Sequence, residues 1–203
     1  MTRRLRRLFA ALALGSALVA CSVIPPAEAP LTSALIDQVP TQLPQRAKGT
    51  GTLLVFAPQA RPAIDTQQMA YSLRAHHLAY FAQNQWAETP PQMLQPLLVR
   101  TLEGTGAFAA VVTPPYTGNA ALALRTEILE LVQDFGQDPP MLRLSLRMRL
   151  SDDRANRVLA TREITLQQAM RQKGPQGGVA AANEAVARAL RELAALVLES
   201  APP

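Results

Sequence analysis

The sequence has a single cysteine, Cys21, and only two histidines, His76 and His77. One thiol rules out an intramolecular disulfide, so the folded part must be held together by its hydrophobic core. Adjacent histidines in a turn point apart, and neither a second cysteine nor a nearby pair of carboxylates completes a metal shell. The Gly-x-Ser-x-Gly motif of serine hydrolases is also missing. These absences predict a chain without catalytic residues, metal ligands or a bound cofactor.

A long hydrophobic run is lacking as well. The apolar stretch over residues 8–20 is well short of the roughly 20 residues that a transmembrane helix needs. It follows a cluster of arginines, and a basic segment before a short apolar run is typical of an export signal. The sequence therefore predicts a removable signal rather than a permanent membrane span. The arginines are Arg3, Arg4, Arg6 and Arg7.

The end of the apolar stretch resembles the lipobox of bacterial lipoproteins. The four residues that carry this resemblance are Leu18, Val19, Ala20 and Cys21. The resemblance implies a signal peptide over residues 1–20 and a mature chain that starts at Cys21, with a diacylglyceryl group on its sulfur and an acyl chain such as palmitate on its amino group. Two or more acyl chains attach a protein stably to a membrane, whereas one chain binds only marginally. The alternative is that Cys21 is a spare or buried thiol.

Removal of the signal changes the charge balance. The whole chain has 20 basic and 15 acidic side chains, but four arginines leave with residues 1–20, so the mature chain is close to neutral. We therefore expect no nucleic-acid partner.

Residues 21–48 are rich in proline, alanine and glutamine. This composition predicts a flexible tether behind the acylated cysteine, with one short ordered stretch around Leu35 and Ile36. Such a tether would let a lipid-anchored domain stand off the membrane. The folded domain is expected over residues 49–203.

Two helices are predicted in this domain. Thr89, Pro90 and Gln92 have the pattern of a capping box with proline in the first turn, and leucines at helical spacing continue to Gly104. Pro96 lies inside this helix and is expected to kink or restart it. The second helix is predicted over residues 179–200, where apolar residues recur at steps of three and four.

Seven segments have the patterns of strands. The segment over 142–150 alternates strictly between apolar and polar residues, which indicates a half-buried strand. The segment over 121–135 fits a helix or a strand, and the neighbouring hairpin favours a strand. The prediction is an α+β two-layer sandwich, with a mostly antiparallel or mixed sheet of about seven strands and two helices on one face. The other predicted strands are 52–57, 69–73, 78–82, 108–112 and 158–166.

The order of these elements resembles the ABC-type transport auxiliary lipoproteins, also called the PqiC- or YmbA-like family. Besides the lipobox and the two helices, the resemblance rests on a set of aromatic, amide and proline residues. They are Met69, Tyr71, Tyr80, Asn84, Trp86, Ala87, Glu88, Pro90, Pro91, Phe108 and Val111, with Ala181, Ala182, Asn183 and Ala185 in the last helix.

The resemblance implies a fold similar to the amino-terminal domain of TolB-type periplasmic proteins. It also implies an accessory lipoprotein of intermembrane lipid transport, whose partners are an MCE-domain periplasmic protein and its ABC permease and ATPase. Ser22 follows the acylated cysteine where inner-membrane lipoproteins carry aspartate, which favours the inner leaflet of the outer membrane. The alternative is a lipoprotein of envelope assembly or cell-wall binding.

Three aromatic residues are candidates for partner binding, namely Tyr71, Tyr80 and Trp86. The alternative for each is a structural role, which for Trp86 is that of a wedge between the strand pair and the first helix. Three arginines on one face of the strand over 142–150 form either a solvated surface or a contact for lipid head groups or an acidic partner. They are Arg143, Arg147 and Arg149. The apolar second face of the segment over 121–135 suggests a covered surface, so homo-oligomers are possible.

Overall fold

The computed structural model of the chain describes residues 30–47 and 49–202. The signal over residues 1–20 and Cys21 lie outside the described residues, so cleavage and acylation stay predictions. From Leu31 onward the chain forms one compact unit. Its strands are β1 (Thr32–Ala34), β2 (Thr52–Val55), β3 (Gln59–Ala60), β4 (Gln68–Ser72), β5 (Ala79–Trp86), β6 (Ala110–Val112), β7 (Leu122–Asp134), β8 (Met141–Asp152) and β9 (Arg157–Ala169), and its helices are α1 (Pro90–Gly104) and α2 (Pro175–Ser200).

Strand β7 is the centre of a mixed sheet. On one edge it pairs antiparallel with β8, which in turn pairs antiparallel with β9. On the other edge β2, β3 and β4 follow one another along β7, all parallel to it. Strand β6 lies beside β2, β5 beside β4, and β1 beside β5. Both helices share one hydrophobic core with the sheet, so the predicted α+β class is confirmed.

The segment over 121–135 is a strand, and a bulge explains why its spacing resembles a helix. Leu124 and Ile128 stand opposite Leu150 and Leu146 of β8, and all four are buried. The register then shifts between Ile128 and Glu130, because a β-bulge adds one residue to one strand. The next buried leucine therefore comes three residues after Ile128, as it would on a helix.

The predicted start of α1 is confirmed. The Gln92 side-chain oxygen accepts a hydrogen bond from the Thr89 backbone N–H at 2.9 Å, which is the reciprocal half of a capping box. Helix α1 runs through Pro96 without a break, so the expected restart does not occur. Pro96 lies on the exposed side of α1, where solvent can reach the carbonyl that its missing N–H leaves without a partner.

The first turns of α2 approach their neighbours closely through two glycines. A Cβ on Gly178 would lie 1.9 Å from Cδ of Gln133 in β7, and one on Gly177 would lie 1.8 Å from the carbonyl oxygen of Gln172. Both distances are shorter than any contact between a real Cβ and a heavy atom. Helix α2 can therefore take this position only because neither residue has a side chain.

The folded domain begins earlier than the expected boundary at residue 49. Strand β1 pairs with β5, Ile36 is buried, and the Arg46 guanidinium donates to the carbonyl oxygen of Leu198 at 2.9 Å. The expected tether over residues 21–48 is thus corrected, because its second half completes the edge of the sheet and covers the end of α2. The part before residue 30 lies outside the described residues.

The sheet also has more strands than expected. Within the described residues there are nine rather than about seven. The two additional strands are β1, of three residues, and β3, of two. Segments this short show no measurable alternation of apolar and polar residues, so hydrophobic periodicity could not predict them.

Candidate functional site

The face of the sheet that points away from the helices has a network of ion pairs. The Arg143 guanidinium lies 2.7 Å from a Glu130 oxygen and also contacts Asp134. Arg147 bridges Glu127 at 3.2 Å and Glu163 at 3.3 Å. These side chains meet because antiparallel pairing sets residues of β7, β8 and β9 side by side on one face.

The carboxylates around Arg143 hold it in its charged form. Partial burial lowers the pKa of its guanidinium, but the hydrogen bond and charge of Glu130, followed by those of Asp134, outweigh that effect and raise the pKa above its usual value. Of the two interpretations of the arginines, the pairing of Arg143 and Arg147 favours a solvated surface with satisfied charges. Arg149 also points outward and is exposed, so it is more accessible to an acidic partner.

Two adjoining grooves lie above this network. The first has a volume of about 670 Å³ and lies between the loop over residues 61–64 and the strands β7 and β8. Apolar side chains such as Leu78 and Leu129 line it together with the charged groups. The second, of about 490 Å³, continues to the β4–β5 loop, and Leu78 and Arg143 line both. The grooves thus connect the charged face to the end of the hairpin.

The loop that joins β4 to β5, which we call the hairpin tip (residues 73–78), exposes large apolar side chains. Leu73 is 64% and Leu78 is 43% exposed. His76 takes a positive φ of 64°, which closes the loop although no glycine or asparagine is available. His76 and His77 are both exposed, and within the described residues no group of three or more His, Cys, Asp or Glu could hold a metal ion.

The three aromatic candidates do not form one surface. Trp86 is buried at the end of β5, which favours its structural role over partner contact. The Tyr80 hydroxyl donates to the Ala63 carbonyl at 3.0 Å and so holds the loop beside the larger groove. Tyr71 stacks with Phe81 at 4.6 Å between ring centroids and with Phe135 at 6.2 Å. Both tyrosines thus support the hairpin from which the tip projects.

The hairpin tip was missed as a site in the sequence. Its signal was present, because Leu73 and Leu78 flank a polar turn where apolar residues have no core to enter. The apolar residues on the outward face of β7, such as Ala123 and Val132, are buried within this chain. They therefore do not require a second copy to cover them, and homo-oligomers stay a prediction.

The fold and the site together define a small α+β domain with an exposed, partly apolar contact surface. The family model described as "ABC-type transport auxiliary lipoprotein component" matches residues 34–194. The chain belongs to this family. Neither helix in the described part of the chain has the length and apolar character needed to cross a membrane.

Solved structures show the same fold. The protein XCC0632 from Xanthomonas campestris aligns with a TM-score of 0.71 and 23% identity, over 83% of this chain and 94% of that one. The hypothetical protein CT253 from Chlamydia trachomatis aligns with a TM-score of 0.53 and 13% identity, over 75% and 98% of the two chains. No curated protein matches the sequence. At these identities the likeness extends to the fold alone.

Proposed function

We propose that this chain is a periplasmic accessory lipoprotein of an intermembrane lipid transport system, anchored in the outer membrane through Cys21. It docks to the MCE-domain component, which works with an ABC permease and an ATPase, and it does so without catalysing a reaction. The family supports a role beside an ABC-type transporter. The lipobox residues and Ser22 after the cysteine support the anchor and its place in the outer membrane.

The hairpin tip is the observation that carries the docking role. Leu73 and Leu78 are among the most exposed large apolar residues of the described chain, and exposed apolar side chains rimmed by polar residues are typical of protein contact sites. The hairpin below them is fixed by the Tyr71 aromatic cluster and by the Tyr80 hydrogen bond. A preorganised apolar contact of this kind loses little conformational entropy on binding.

The grooves beside the tip add specificity. Their apolar lining can receive side chains of the partner, while Glu127, Arg143 and Arg147 at their margin select a partner by charge. Because Arg143 and Arg147 are already paired within the chain, the affinity comes mainly from the apolar contact.

Co-purification of the tagged, lipidated full-length protein from envelope extracts tests this proposal. We expect the MCE-domain protein and its permease to be recovered with the wild type. The double substitution Leu73→Ser and Leu78→Ser should lower that recovery at least about tenfold, because losing both apolar contacts should cost about 1.4 kcal/mol or more. Val158→Ser is the matched control, since Val158 is 54% exposed on β9 and should bind like the wild type.

Thermal unfolding of both variants verifies that the fold is kept. Recovery of cell-wall material alone would favour the rival, a lipoprotein of envelope assembly or wall binding. Equal recovery of the transport components by the wild type and the double variant would contradict docking through the hairpin tip. Neighbouring genes for a permease, an ATPase and an MCE-domain protein would support the transport role independently.

A further inference from the structure

The edge of the sheet nearest the anchor, which we call the N-terminal edge (residues 31–35), is fixed to the domain. Each residue of β1 pairs with β5, from Thr32 opposite Asn84 to Ala34 opposite Trp86. The Asn183 side chain on α2 then accepts hydrogen bonds from the backbone N–H groups of residues 37 and 38, at 2.9 and 3.1 Å, and donates to the Leu35 carbonyl at 3.0 Å. The chain thus joins the domain at residue 31.

This early attachment limits how far the domain can stand off the membrane. Between Cys21 and Leu31 a fully extended chain spans at most about 35 Å. A tether continuing to residue 48 would have spanned about 95 Å. A domain of this size is itself about 40 Å across. The N-terminal edge is therefore the part of the domain that the anchor holds nearest to the bilayer.

The same edge exposes apolar side chains that nothing in the described chain covers. Leu31 is 57% and Leu35 is 50% exposed. Alternation along an extended chain turns Ala34 and Ile36 toward the core and places residues 31, 33 and 35 on the opposite side. Between the two leucines, Ser33 accepts a hydrogen bond from the Gln85 side chain at 3.3 Å. The N-terminal edge thus exposes two leucines to its surroundings, and the hydroxyl of Ser33 between them already has a hydrogen-bond partner.

Charges of both signs lie near this edge. Gln176 in the first turn of α2 contacts Asn84, the register partner of Thr32, so the basic residues before α2 lie close to the edge. Arg171 pairs with Glu184 at 3.2 Å. The exposed Lys173 and Asp37 add one charge of each sign. Arg188 and Arg191 lie further along α2, beside Gln38 and Pro40, so anionic head groups can add to a contact that the apolar side chains make.

From these observations we infer that the N-terminal edge rests on the surface of the membrane that holds the acyl chains, with Leu31 and Leu35 in the interfacial region of the lipids. This inference rests on the proposed acylation of Cys21. We assign lipid as the partner that covers Leu31 and Leu35, because the short segment between Cys21 and Leu31 holds this edge beside the bilayer. Two leucines add little to an anchor of several acyl chains, so their effect is to orient the domain. Val158 lies near the start of β9, which forms the opposite edge of the sheet from β1, and this position therefore faces away from the bilayer.

Fluorescence quenching in vesicles tests the orientation. The acylated full-length protein has no free thiol, since the sulfur of its only cysteine carries lipid, so Leu35→Cys gives a single site for a bimane label. The matched control is Val158→Cys, an exposed apolar position on β9, about five strand spacings or roughly 24 Å across the sheet. Vesicles of phosphatidylethanolamine and phosphatidylglycerol, with nitroxide-labelled head groups, quench a label that lies at their surface.

We expect quenching at position 35 to exceed that at position 158 about threefold or more, and to persist in phosphatidylcholine vesicles, because the contact is apolar. Mass spectrometry of the same samples separates the two possible failures. An unacylated Cys21 would overturn the anchor, and with it the orientation. Equal quenching at the two positions of acylated protein, or quenching at position 35 that requires anionic lipid, would overturn the orientation alone.

Discussion

The two edges of β7 are built in different ways. On one edge a single partner, β8, follows β7 from Leu122 to Asp134, and β9 follows β8 over nearly the same length. We call these three strands the long side. On the other edge β2, β3 and β4 pair one after another with successive parts of β7, and β6, β5 and β1 lie outside them. We call these six strands the pieced side.

This difference indicates which strand pairs can form early in folding and which depend on strands that are already in place. The long side consists of two consecutive hairpins, whose short loops cost little entropy to close. The pieced side joins segments far apart in the chain, such as β1 and β5, which pair residue 32 with residue 84. All of its strands except β5 also have five residues or fewer, so each makes few backbone hydrogen bonds with its neighbours. We therefore expect the long side to be the stable unit and β1 to open locally.

The largest expected effect on the free energy of unfolding comes from cavities. One is made in the long side, and the other just after β1 of the pieced side. Leu146→Ala removes a buried side chain from the middle of β8, and it should lower the free energy of unfolding by about 2–5 kcal/mol. Ile36→Ala should cost less, about 1 kcal/mol, because residues 31–38 can detach while the rest stays folded. Urea unfolding of both variants measures the two losses.

Native-state hydrogen exchange provides the control. The amides of residues 32–34 should exchange faster than those of residues 144–148 in the wild type, and Ile36→Ala should accelerate only the first group. If both groups respond equally to Ile36→Ala, the two sides unfold as one unit and the distinction between them is wrong.

The same difference explains how much of the fold could be predicted from the sequence. The alternation of Leu142, Leu144 and Leu146 predicts β8 directly, because a long strand repeats its pattern several times. On the pieced side, β3 has only Gln59 and Ala60 and no pattern to repeat. The prolines before residue 48 indicate a tether, whereas the partners that fix this segment, the free edge of β5 and side chains and carbonyls of α2, are brought to it only by the folded domain.

The candidate site was less predictable than the fold. The hairpin over residues 69–82 was predicted. Whether an aromatic ring of this hairpin is buried depends on which other elements pack over it, and hydrophobic periodicity does not show which elements these are. Trp86, for example, is buried in the core that the helices share with the sheet. The ion pairs of Arg143 likewise require the register of β7 against β8, including its bulge, which a single strand pattern cannot give.

A second prediction concerns the two glycines at which α2 closely approaches the loop after β9 and strand β7. Gly177→Ala should lower the free energy of unfolding by about 1–3 kcal/mol, because its Cβ would collide with the backbone oxygen of Gln172. This loss opposes the gain of up to about 1 kcal/mol that alanine usually brings to a helix. Gly51→Ala, just before β2 on the pieced side, is the control, since nothing lies within 4 Å of the added Cβ. A stability of Gly177→Ala equal to that of the control would contradict the close approach.

The smallest expected effect comes from Asp153, in the turn that joins β8 to β9. The Ser151 hydroxyl donates to its carboxylate at 2.6 Å and lowers the pKa of Asp153 below the usual range, with a further contribution from Arg125 at 3.3 Å that partial burial opposes. A carboxyl whose pKa is lower in the folded state stabilises the fold above its unfolded pKa, and this stabilisation is lost as the pH falls through the folded pKa. Because the carboxylate is well exposed, screening keeps its contribution below about 1 kcal/mol.

Asp153→Asn should therefore be slightly less stable than the wild type at pH 7, and the difference should disappear in strong acid, where the wild-type carboxyl is protonated in both states. Chemical denaturation at a series of pH values measures the difference, and an NMR titration of the carboxyl measures its pKa directly. Ser151→Ala separates the two causes, since it should raise the pKa of Asp153 even in high salt, where the contribution of Arg125 is screened. A wild-type pKa in the usual range would show that this turn does not add to the stability of the long side.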